Sequence, residues 1–387
     1  MASTRKRSCP VCGTLFPDNG YSCPVCALRG ALDTEQVTSE SAVEAHLAPF
    51  HLRFEHYEIL THEDGTPAEL GRGAMGITYK AVDVNLRCAV ALKAINAQFI
   101  GDGSARRRFV REARAAASVR HPNVASVFHL GMGRDSYFYA MEFVDGKPLD
   151  ELIRQFGRLE VKLALEITAQ IASGLTAVHE QNLVHRDIKP SNIMVRLEGD
   201  SATAKIIDLG LAKAVAESQS ETAISIPGSF AGTPEFASPE QFAGVGVDIR
   251  SDLYSLGATL WDMLAGRPPF EGTSPELMHQ HLHTALPAAQ LDNVPQPVVA
   301  LLEVLLEKDP ARRFRNPAEL LKAMPMITDA VDGGRNIAHQ GLRHAALTDL
   351  TSLTRRPSTR RGPEKISVAR LPVTGSDVFG REEESLS

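Results

Sequence analysis

A segment near the middle of the chain places a carboxylate, an ammonium and a side-chain amide close together. Residues 185–192 read HRDIKPSN. Transfer of a phosphoryl group to a hydroxyl requires a carboxylate that orients the hydroxyl and accepts its proton, a cation near the phosphate and an oxygen ligand for Mg²⁺. Asp187, Lys189 and Asn192 offer these groups in turn. The segment therefore predicts a catalytic loop in which Asp187 is the base and Lys189 contacts the phosphate.

A second carboxylate follows at the end of an apolar, strand-like run. Residues 206–210 read IIDLG, so the run delivers Asp208 to a turn at Gly210. Proteins usually hold Mg²⁺ in nucleotide sites with one or two carboxylates and the phosphate oxygens. We therefore expect Asn192 and Asp208 to be the protein ligands of Mg²⁺.

A glycine-rich run earlier in the chain has the spacing of a phosphate-binding loop. Residues 71–76 read GRGAMG, and glycines let backbone N–H groups approach phosphate oxygens because no Cβ is in the way. A dinucleotide-binding turn would continue into a helix, whereas residues 77–82 have a strand pattern. A P-loop would need a lysine where Ile77 stands. The pattern predicts a β-hairpin that covers a bound nucleotide. The residues expected to contact this nucleotide are Gly71, Arg72, Gly73, Ala74, Met75 and Gly76.

A lysine and a glutamate further along could complete this site. Lys93 follows the apolar run 90–92, where its charge could reach phosphates under the glycine-rich loop. Glu112 lies in the arginine-rich, helical stretch 105–117 and could pair with Lys93 and hold it in place. Most of the arginines in that stretch are typical of a solvated helix face.

Four of the five cysteines form two C-x2-C pairs at the start of the chain, Cys9 with Cys12 and Cys23 with Cys26. Two tight turns of this kind can present four thiolates to one tetrahedral Zn²⁺, and such a closed site is structural, not catalytic. A redox C-x2-C or a pair of disulfides is the alternative interpretation. The fifth cysteine, Cys88, is expected to be a buried free thiol because it lies in a strand pattern.

The elements that would position these residues change in kind along the chain. Short strand-like runs come first, and long helical periodicities follow. An apolar stripe predicts a core helix that ends near His179, and the run 253–264 predicts a helix that is buried on most sides. Asn316, Pro317 and Glu319 have the order of an N-cap, a first helical residue and a capping-box partner. We therefore expect a β-rich unit followed by a helical one.

Composition and charge narrow the classes of function. The chain has 387 residues, of which 43% are hydrophobic and 23% charged, as in a globular protein with one large core and a smaller module. A net charge of −6 gives no reason to expect a nucleic-acid partner. No run of about 18 apolar residues is found, and the basic residues 5–7 do not precede an apolar signal-peptide core. We expect a cytoplasmic protein with reduced cysteines and no membrane partner.

Taken together, these motifs resemble those of the eukaryotic-type protein kinases, in their bacterial Ser/Thr branch. The glycine-rich loop, Lys93, Glu112, the catalytic loop and the segments 208–210 and 238–240 occur in the family's order. The resemblance implies a bilobal protein kinase fold of the α+β class, with a β-rich N-lobe and an α-helical C-lobe. It also implies the residues around adenine, which are Thr78, Ala91, the gatekeeper Met141, and the hinge residues Glu142, Phe143 and Val144.

The resemblance assigns supporting roles as well. Asp252 would anchor the catalytic loop, and Arg313 would form a buried ion pair with Glu240. Lys189 and Thr233 resemble the residues that Ser/Thr kinases have in these motifs, and not those of Tyr kinases. Arg186 before Asp187 implies control by phosphorylation within 208–240, where an added phosphate could pair with the arginine.

These expectations give a domain plan and a function. The plan is a zinc ribbon (1–30), a linker (31–52), a kinase domain (53–327, with an N-lobe at 53–143 and a C-lobe at 147–327) and a flexible tail (328–387). The function is transfer of the γ-phosphate of ATP, with Mg²⁺, to Ser/Thr hydroxyls of proteins, and autophosphorylation of the activation segment. Two alternatives stay open, a pseudokinase scaffold and a protein-binding regulator led by the zinc module. The sequence leaves the oligomeric state unknown.

Overall fold

The computed structural model describes residues 6–8, 15–17, 53–73, 76–96, 103–132, 136–199, 201–210, 233–244, 246–338 and 341–342. The strands are β1 (Lys6–Ser8), β2 (Leu15–Pro17), β3 (Arg53–Phe54), β4 (Tyr57–Ile59), β5 (Glu69–Gly73), β6 (Gly76–Asp83), β7 (Cys88–Asn96), β8 (Val127–Met132), β9 (Ser136–Glu142), β10 (Lys147–Pro148), β11 (Ile193–Glu198) and β12 (Ser201–Ile206). The α-helices are α1 (Gly103–Ser118), α2 (Leu149–Phe156), α3 (Val161–Glu180), α4 (Pro239–Ala243), α5 (Ile249–Ala265), α6 (Ser274–His283), α7 (Gln296–Leu305) and α8 (Pro317–Asp332).

The N-lobe is an antiparallel sheet of seven strands in the order β3-β4-β6-β7-β9-β8, with β5 paired to β6. Alternate residues of β6, β7 and β9 face opposite sides of this sheet. One side holds a small core that includes Tyr57, Leu92 and Phe138. The other side, with Ala91, Tyr139 and Met141, joins the main core of the protein. The N-lobe therefore turns one face of β7 and β9 toward the rest of the molecule.

The C-lobe is built around α3 and α5. Every residue of α5 except Arg250 is buried, as the apolar pattern of 253–264 predicted. The helix begins at the N-cap Asp248, whose side chain accepts a hydrogen bond from the backbone N–H of Arg250, and ends at Gly266 in a left-handed conformation with φ 73°. The apolar stripe of α3 is also buried, and the helix ends next to His179 as expected. The predicted start of α8 is confirmed, since Asn316 Oδ1 accepts from the N–H of Glu319 at 3.0 Å.

A three-stranded sheet, β10-β11-β12, presents the catalytic segments. β11 begins directly after Asn192, and β12 ends shortly before Asp208. In the antiparallel register Ile193 lies opposite Ile206, and the N–H of Ile207 donates to the carbonyl of Asn192 at 2.9 Å. The hairpin therefore brings the end of the catalytic loop next to the Asp208 turn.

Several expectations fall outside the described residues, among them the zinc ligands, the linker 31–52, Ala74, Met75 and most of the tail. The buried environment expected for Cys88 is wrong, because this free thiol is exposed. Cys88 opens β7 directly after the exposed turn residues 85–87, so its side chain meets solvent instead of the core. Helix α8 continues past 327 to Asp332, since Ile327 and Ala330 stay buried.

One helix among the described residues, α3, is long and apolar enough to cross a membrane by length and composition alone. Half of its most apolar stretch is buried inside the protein. A central helix of a packed lobe has the same properties.

Candidate active site

Strand register sets the first part of the site. Lys93 on β7 lies opposite Thr78 on β6 and opposite Tyr139 on β9, so the three side chains form a row across one face of the sheet. The Lys93 ammonium makes an ion pair with Oδ2 of Asp208. The Tyr139 hydroxyl donates to the other oxygen, Oδ1, at 2.5 Å. The N-lobe and the C-lobe therefore meet at the Asp208 carboxylate.

Asp208 is held by its surroundings in an uncommon conformation. Its backbone has φ 60°, in the left-handed region that few non-glycine residues adopt. Gly210 follows where a Cβ would lie 2.1 Å from the carbonyl oxygen of His185, so only glycine fits. Burial would raise the pKa of Asp208, but Lys93 and the hydrogen bond from Tyr139 outweigh it and lower the pKa to about 2. Asp208 is therefore an ionised carboxylate that can bind a cation.

The catalytic loop is joined by short polar contacts. Lys189 Nζ lies 3.2 Å from Oδ2 of Asp187 and donates to Oγ1 of Thr233 at 2.7 Å. Asn192 Nδ2 donates to the backbone oxygen of Asp187 at 2.8 Å and to its Oδ2 at 3.0 Å. Since these bonds use the nitrogen of the Asn192 amide, its oxygen faces away from Asp187. The loop thus fixes the Asp187 carboxylate between an ammonium and an amide.

Asp252 on α5 anchors this loop from below, as expected. Its Oδ2 accepts from the N–H of His185 and its Oδ1 from the N–H of Arg186, both at 2.8 Å. These bonds hold Arg186 at φ 65°, another left-handed residue. Burial raises the pKa of Asp252 to about 7, against the opposing effect of the two N–H donors. The Asp252 carboxylate therefore fixes the backbone conformation of the two residues before Asp187, although its burial is unfavourable.

The glycine-rich loop is the hairpin that the sequence predicted, and it is formed by β5 and β6. A Cβ at Gly71 or Gly73 would contact no described atom within 4 Å, so these positions border open space. A Cβ at Gly76 would lie 2.0 Å from the carbonyl oxygen of Ala94, so this glycine permits the close approach of β6 to β7. Arg72 is bound to Glu69, with Nη2 2.7 Å from Oε2. Both residues lie on β5, so this ion pair is made within one strand.

Two of the residues expected around adenine lie on the neighbouring row of the sheet, and a third, Thr78, lies in the row of Lys93. Ala91 is opposite Met141 in the pairing of β7 with β9, and both are buried. Thr78 is half-buried in β6, and Val144 lies just after the end of β9. The Glu142 side chain is engaged elsewhere, since it accepts from Lys205 at 2.5 Å and from the N–H of Ser126 at 3.2 Å. The backbone N–H of Glu142 donates to the carbonyl of Ser126 at 2.9 Å, so the backbone oxygen is the group of Glu142 that could contact adenine.

Glu112 lies half-buried on α1. Lys93 forms its ion pair with Asp208 in this structure. The ion pair between Lys93 and Glu112 stays a prediction.

A small pocket next to Asp187 was not foreseen. Phe236, Ala237 and Gln241 line it together with residues of the catalytic loop. Gln241 Nε2 donates to the backbone oxygen of Arg186 at 3.0 Å, and its Oε1 accepts from the N–H of Ser238. The segment 238–240 was recognised as one of the motifs of the resemblance. That motif did not reveal the contact of Gln241 with the catalytic loop.

The residues present fit Mg²⁺ and a triphosphate. Asp208 and the Asn192 amide provide hard oxygen ligands, which Mg²⁺ prefers. Lys93 lies beside Asp208 and Lys189 beside Asp187, so each of the two carboxylates has a cation next to it. The open space at Gly71 and Gly73 leaves their backbone accessible to phosphate oxygens.

Comparison with known proteins agrees with this geometry. Residues 66–325 match the family model of the protein kinase domain. The chain is 37% identical over 264 residues to the serine/threonine-protein kinase PrkC of Bacillus subtilis, covering 67% of this chain and 40% of that protein. It is 35% identical over 260 residues to the serine/threonine-protein kinase PknB of Mycobacterium tuberculosis, covering 65% and 40%.

A solved structure has the same fold. The PknI kinase domain of Mycobacterium tuberculosis superposes with a TM-score of 0.53 at 27% identity, over 71% of this chain and 97% of that one. The chain spans about two fifths of the length of the curated relatives PrkC and PknB. With its bilobal fold and the matched residues 66–325, this chain belongs to the protein kinase domain family.

Proposed function

We propose that the chain is an ATP- and Mg²⁺-dependent serine/threonine protein kinase. The observation that carries the proposal is a continuous set of contacts: Lys93 to Asp208, the Asp208 turn to the Asn192 backbone, and Asn192 to Asp187. These are the side chains that phosphoryl transfer requires, gathered at one junction. The relatives PrkC and PknB are named serine/threonine-protein kinases, which supports the same activity here.

Each residue of the junction has one task in this mechanism. Asp187 orients the substrate hydroxyl and accepts its proton, and the Asn192 amide keeps the Asp187 carboxylate in place. Lys189 stabilises the charge on the transferred phosphoryl group, while its bond to Thr233 ties the loop to the start of the substrate-binding segment. Asn192 Oδ1 and Asp208 would hold Mg²⁺, which neutralises phosphate charge when bound. Lys93 would contact the phosphates under the glycine-rich loop.

The pocket beside Asp187 supports a protein substrate. It is lined by the segment 233–241, next to the carboxylate that would receive the hydroxyl. A residue neighbouring the target Ser or Thr would lie over this surface. Lys189 bound to Thr233 is similar to the arrangement in the Ser/Thr class, so we assign Ser/Thr hydroxyls as the acceptors.

The activity test compares the wild type with two variants. Purified protein incubated with Mg·ATP should gain phosphate, detected by mass spectrometry, on itself and on a Ser/Thr-containing substrate protein. Asp208→Ala should abolish the gain because it removes a Mg²⁺ ligand, and Asp187→Asn should reduce it strongly because it removes the base. Equal and null signals from all three proteins would leave the pseudokinase scaffold as the better account.

Autophosphorylation is proposed within the activation segment. The candidates are Ser218, Ser220, Thr222, Ser225 and Ser229, which lie outside the described residues. Peptide mapping after incubation with Mg·ATP identifies the modified residue, and a phosphosite elsewhere in the chain would redirect the proposal.

We also propose that residues 1–30 form a structural zinc ribbon. The support is the antiparallel pair β1 and β2, which flanks the first cysteine pair, since β1 ends at Ser8 and β2 begins at Leu15. A hairpin of this kind can present a C-x2-C turn to a metal. Zinc analysis of purified protein should find about one ion per chain, and Cys9→Ser with Cys26→Ser should release it. Retention of zinc by that double variant would contradict the site.

The remaining parts of the account are proposals of the same kind. We assign the linker to 31–52 and the kinase domain to 53–332, because α8 continues past the expected boundary at 327, and we assign the tail to the residues that follow. We also place the protein in the cytoplasm without a nucleic-acid partner. The second alternative is a regulator whose main function is protein binding by the zinc module. It would gain support if a protein partner bound the wild type and was lost with Cys9→Ser while phosphorylation persisted.

A further inference from the structure

Tyr139 is a buried residue that the mechanism above does not use. It lies on β9, two residues before the predicted gatekeeper, and its side chain is 2% exposed. Its hydroxyl donates to Oδ1 of Asp208 at 2.5 Å, although the two residues are far apart in sequence. In this contact the phenol is the donor and the carboxylate the acceptor.

Each oxygen of the Asp208 carboxylate has its own hydrogen-bond donor. Lys93 is bound to Oδ2 and Tyr139 to Oδ1. Their side chains reach the same carboxylate because Lys93 and Tyr139 are directly opposite in the pairing of β7 with β9. The rigid sheet, not a loop, therefore sets the position of both donors.

The two donors differ in how they tolerate a cation at Asp208. The Lys93 ammonium is positive, so it would repel Mg²⁺ bound to the same oxygen, and it also has the phosphates to contact. The Tyr139 hydroxyl is neutral and has no such conflict. When Lys93 moves to the nucleotide, Oδ2 is released while Tyr139 can keep Oδ1.

We propose that Tyr139 is a positioning residue that fixes Oδ1 of Asp208 and thereby presents Oδ2 to Mg²⁺. The inference rests on the proposed kinase function, since it concerns the metal of that site. Groups that hydrogen-bond to a metal ligand orient it, and their loss typically lowers metal affinity about 10–100-fold. Loss of the Tyr139 hydroxyl would leave Oδ1 without this donor and free the carboxylate to rotate.

The test measures metal binding directly, with the full chain. Mn²⁺ is titrated into the protein with and without AMP-PNP, a non-hydrolysable ATP analogue, and free Mn²⁺ is followed by electron paramagnetic resonance. The same titration of AMP-PNP without protein is subtracted, because the triphosphate itself binds Mn²⁺. The Mn²⁺ binding that requires both protein and nucleotide reports the Asp208 site. Tyr139→Phe removes one oxygen atom and leaves the ring, so its core packing should be retained, and thermal melting checks this.

Tyr137→Phe is the matched control. Tyr137 lies on the same strand and the same face, is buried, and packs its ring against Phe109 at a centroid distance of 5.5 Å. It loses the same atom without touching Asp208. The readout separates a positioning role from a structural one, because a structural role would lower the melting temperature and not the Mn²⁺ affinity.

We expect Tyr139→Phe to weaken nucleotide-dependent Mn²⁺ binding about tenfold and Tyr137→Phe to change it less than about twofold. Wild-type binding with an unchanged affinity in Tyr139→Phe would overturn the inference and leave the kinase proposal intact. An equal loss in both variants would also overturn it. No nucleotide-dependent Mn²⁺ binding by the wild type would overturn the proposed function and the inference together.

Discussion

Replacement of Arg313 should destabilise the C-lobe far more than its single charge suggests. The side chain is wholly buried, and its guanidinium bonds to both oxygens of Glu240, at 2.7 and 2.9 Å. It also donates to three backbone oxygens, those of Arg250, Glu307 and Lys308. These contacts use all five N–H donors of a guanidinium. Arg313 thus joins α4, the start of α5 and the segment before α8.

The magnitude follows from what the substitution leaves behind. In Arg313→Ala, Glu240 stays buried as an uncompensated carboxylate, and breaking a buried pair in this way costs about 3–5 kcal/mol. For a domain of this size, each kcal/mol lowers the melting temperature by roughly 2–4 °C, so we expect a loss of about 10 °C. Lysine has only three donors on a single nitrogen, so Arg313→Lys should recover a minority of the loss.

The assay is thermal unfolding followed by circular dichroism, with Arg315→Ala as the control. Arg315 pairs with Glu319, but its side chain is 66% exposed. Exposed ion pairs contribute about 0–1 kcal/mol, so this variant should melt within about 3 °C of the wild type. Equal melting temperatures for Arg313→Ala and Arg315→Ala would refute the claim that the buried pair holds the lobe together.

The pH dependence of stability tests the Arg313–Glu240 ion pair in a second way. Burial would raise the pKa of Glu240, but hydrogen bonds and charge from Arg313 outweigh it and lower the pKa below 4.5. The pair therefore stabilises the wild type above pH 4.5 and loses this effect as the pH falls. In Arg313→Ala the buried carboxyl gains from protonation instead. The difference in stability between the two proteins should narrow on acidification, and a constant difference would contradict the assignment.

Three further substitutions test other contacts. Asp252→Ala removes the acceptor that fixes the backbone before Asp187, so kcat should fall about a hundredfold with little change in the KM for ATP; loss of ATP affinity alone would contradict this. Gly210→Ala places a methyl group 2.1 Å from a carbonyl oxygen and should cost about 1–3 kcal/mol of stability together with most of the activity, and an active, stable variant would count against the geometry. Burial, reinforced by the negative charge of Asp150, raises the pKa of Asp262 to about 6. Its ionisation weakens the fold as the pH rises through that value, so the advantage of Asp262→Asn in melting temperature should grow from pH 5 to pH 8, and a constant advantage would refute this.

Much of the site could be predicted because short motifs carry its chemistry. The catalytic loop and the Asp208 turn each lie within a few consecutive residues, so the identities of the polar side chains were readable without a fold. The start of α8 was predictable for the same reason, since capping depends on a few adjacent residues. The buried helix α5 was predictable because its apolar residues cover all sides.

The parts that escaped prediction depend on pairing across the sheet. Tyr139 lies in an apolar strand, and nothing in the sequence shows that register places it opposite Lys93 and within reach of Asp208. The contact between Lys93 and Asp208 likewise depends on how the two lobes meet. The exposure of Cys88 was missed because a strand pattern does not reveal where a hairpin leaves the core.

The central claim is that Lys93, Asp187, Asn192 and Asp208 surround one nucleotide with its metal. A crystal structure of the chain with Mn²⁺ and AMP-PNP tests it most directly, because anomalous scattering locates the Mn²⁺ ions. The account predicts Mn²⁺ bound by oxygens of Asp208 and Asn192, with the γ-phosphate facing Asp187. Nucleotide bound elsewhere, or Mn²⁺ without contact to Asp208, would contradict it.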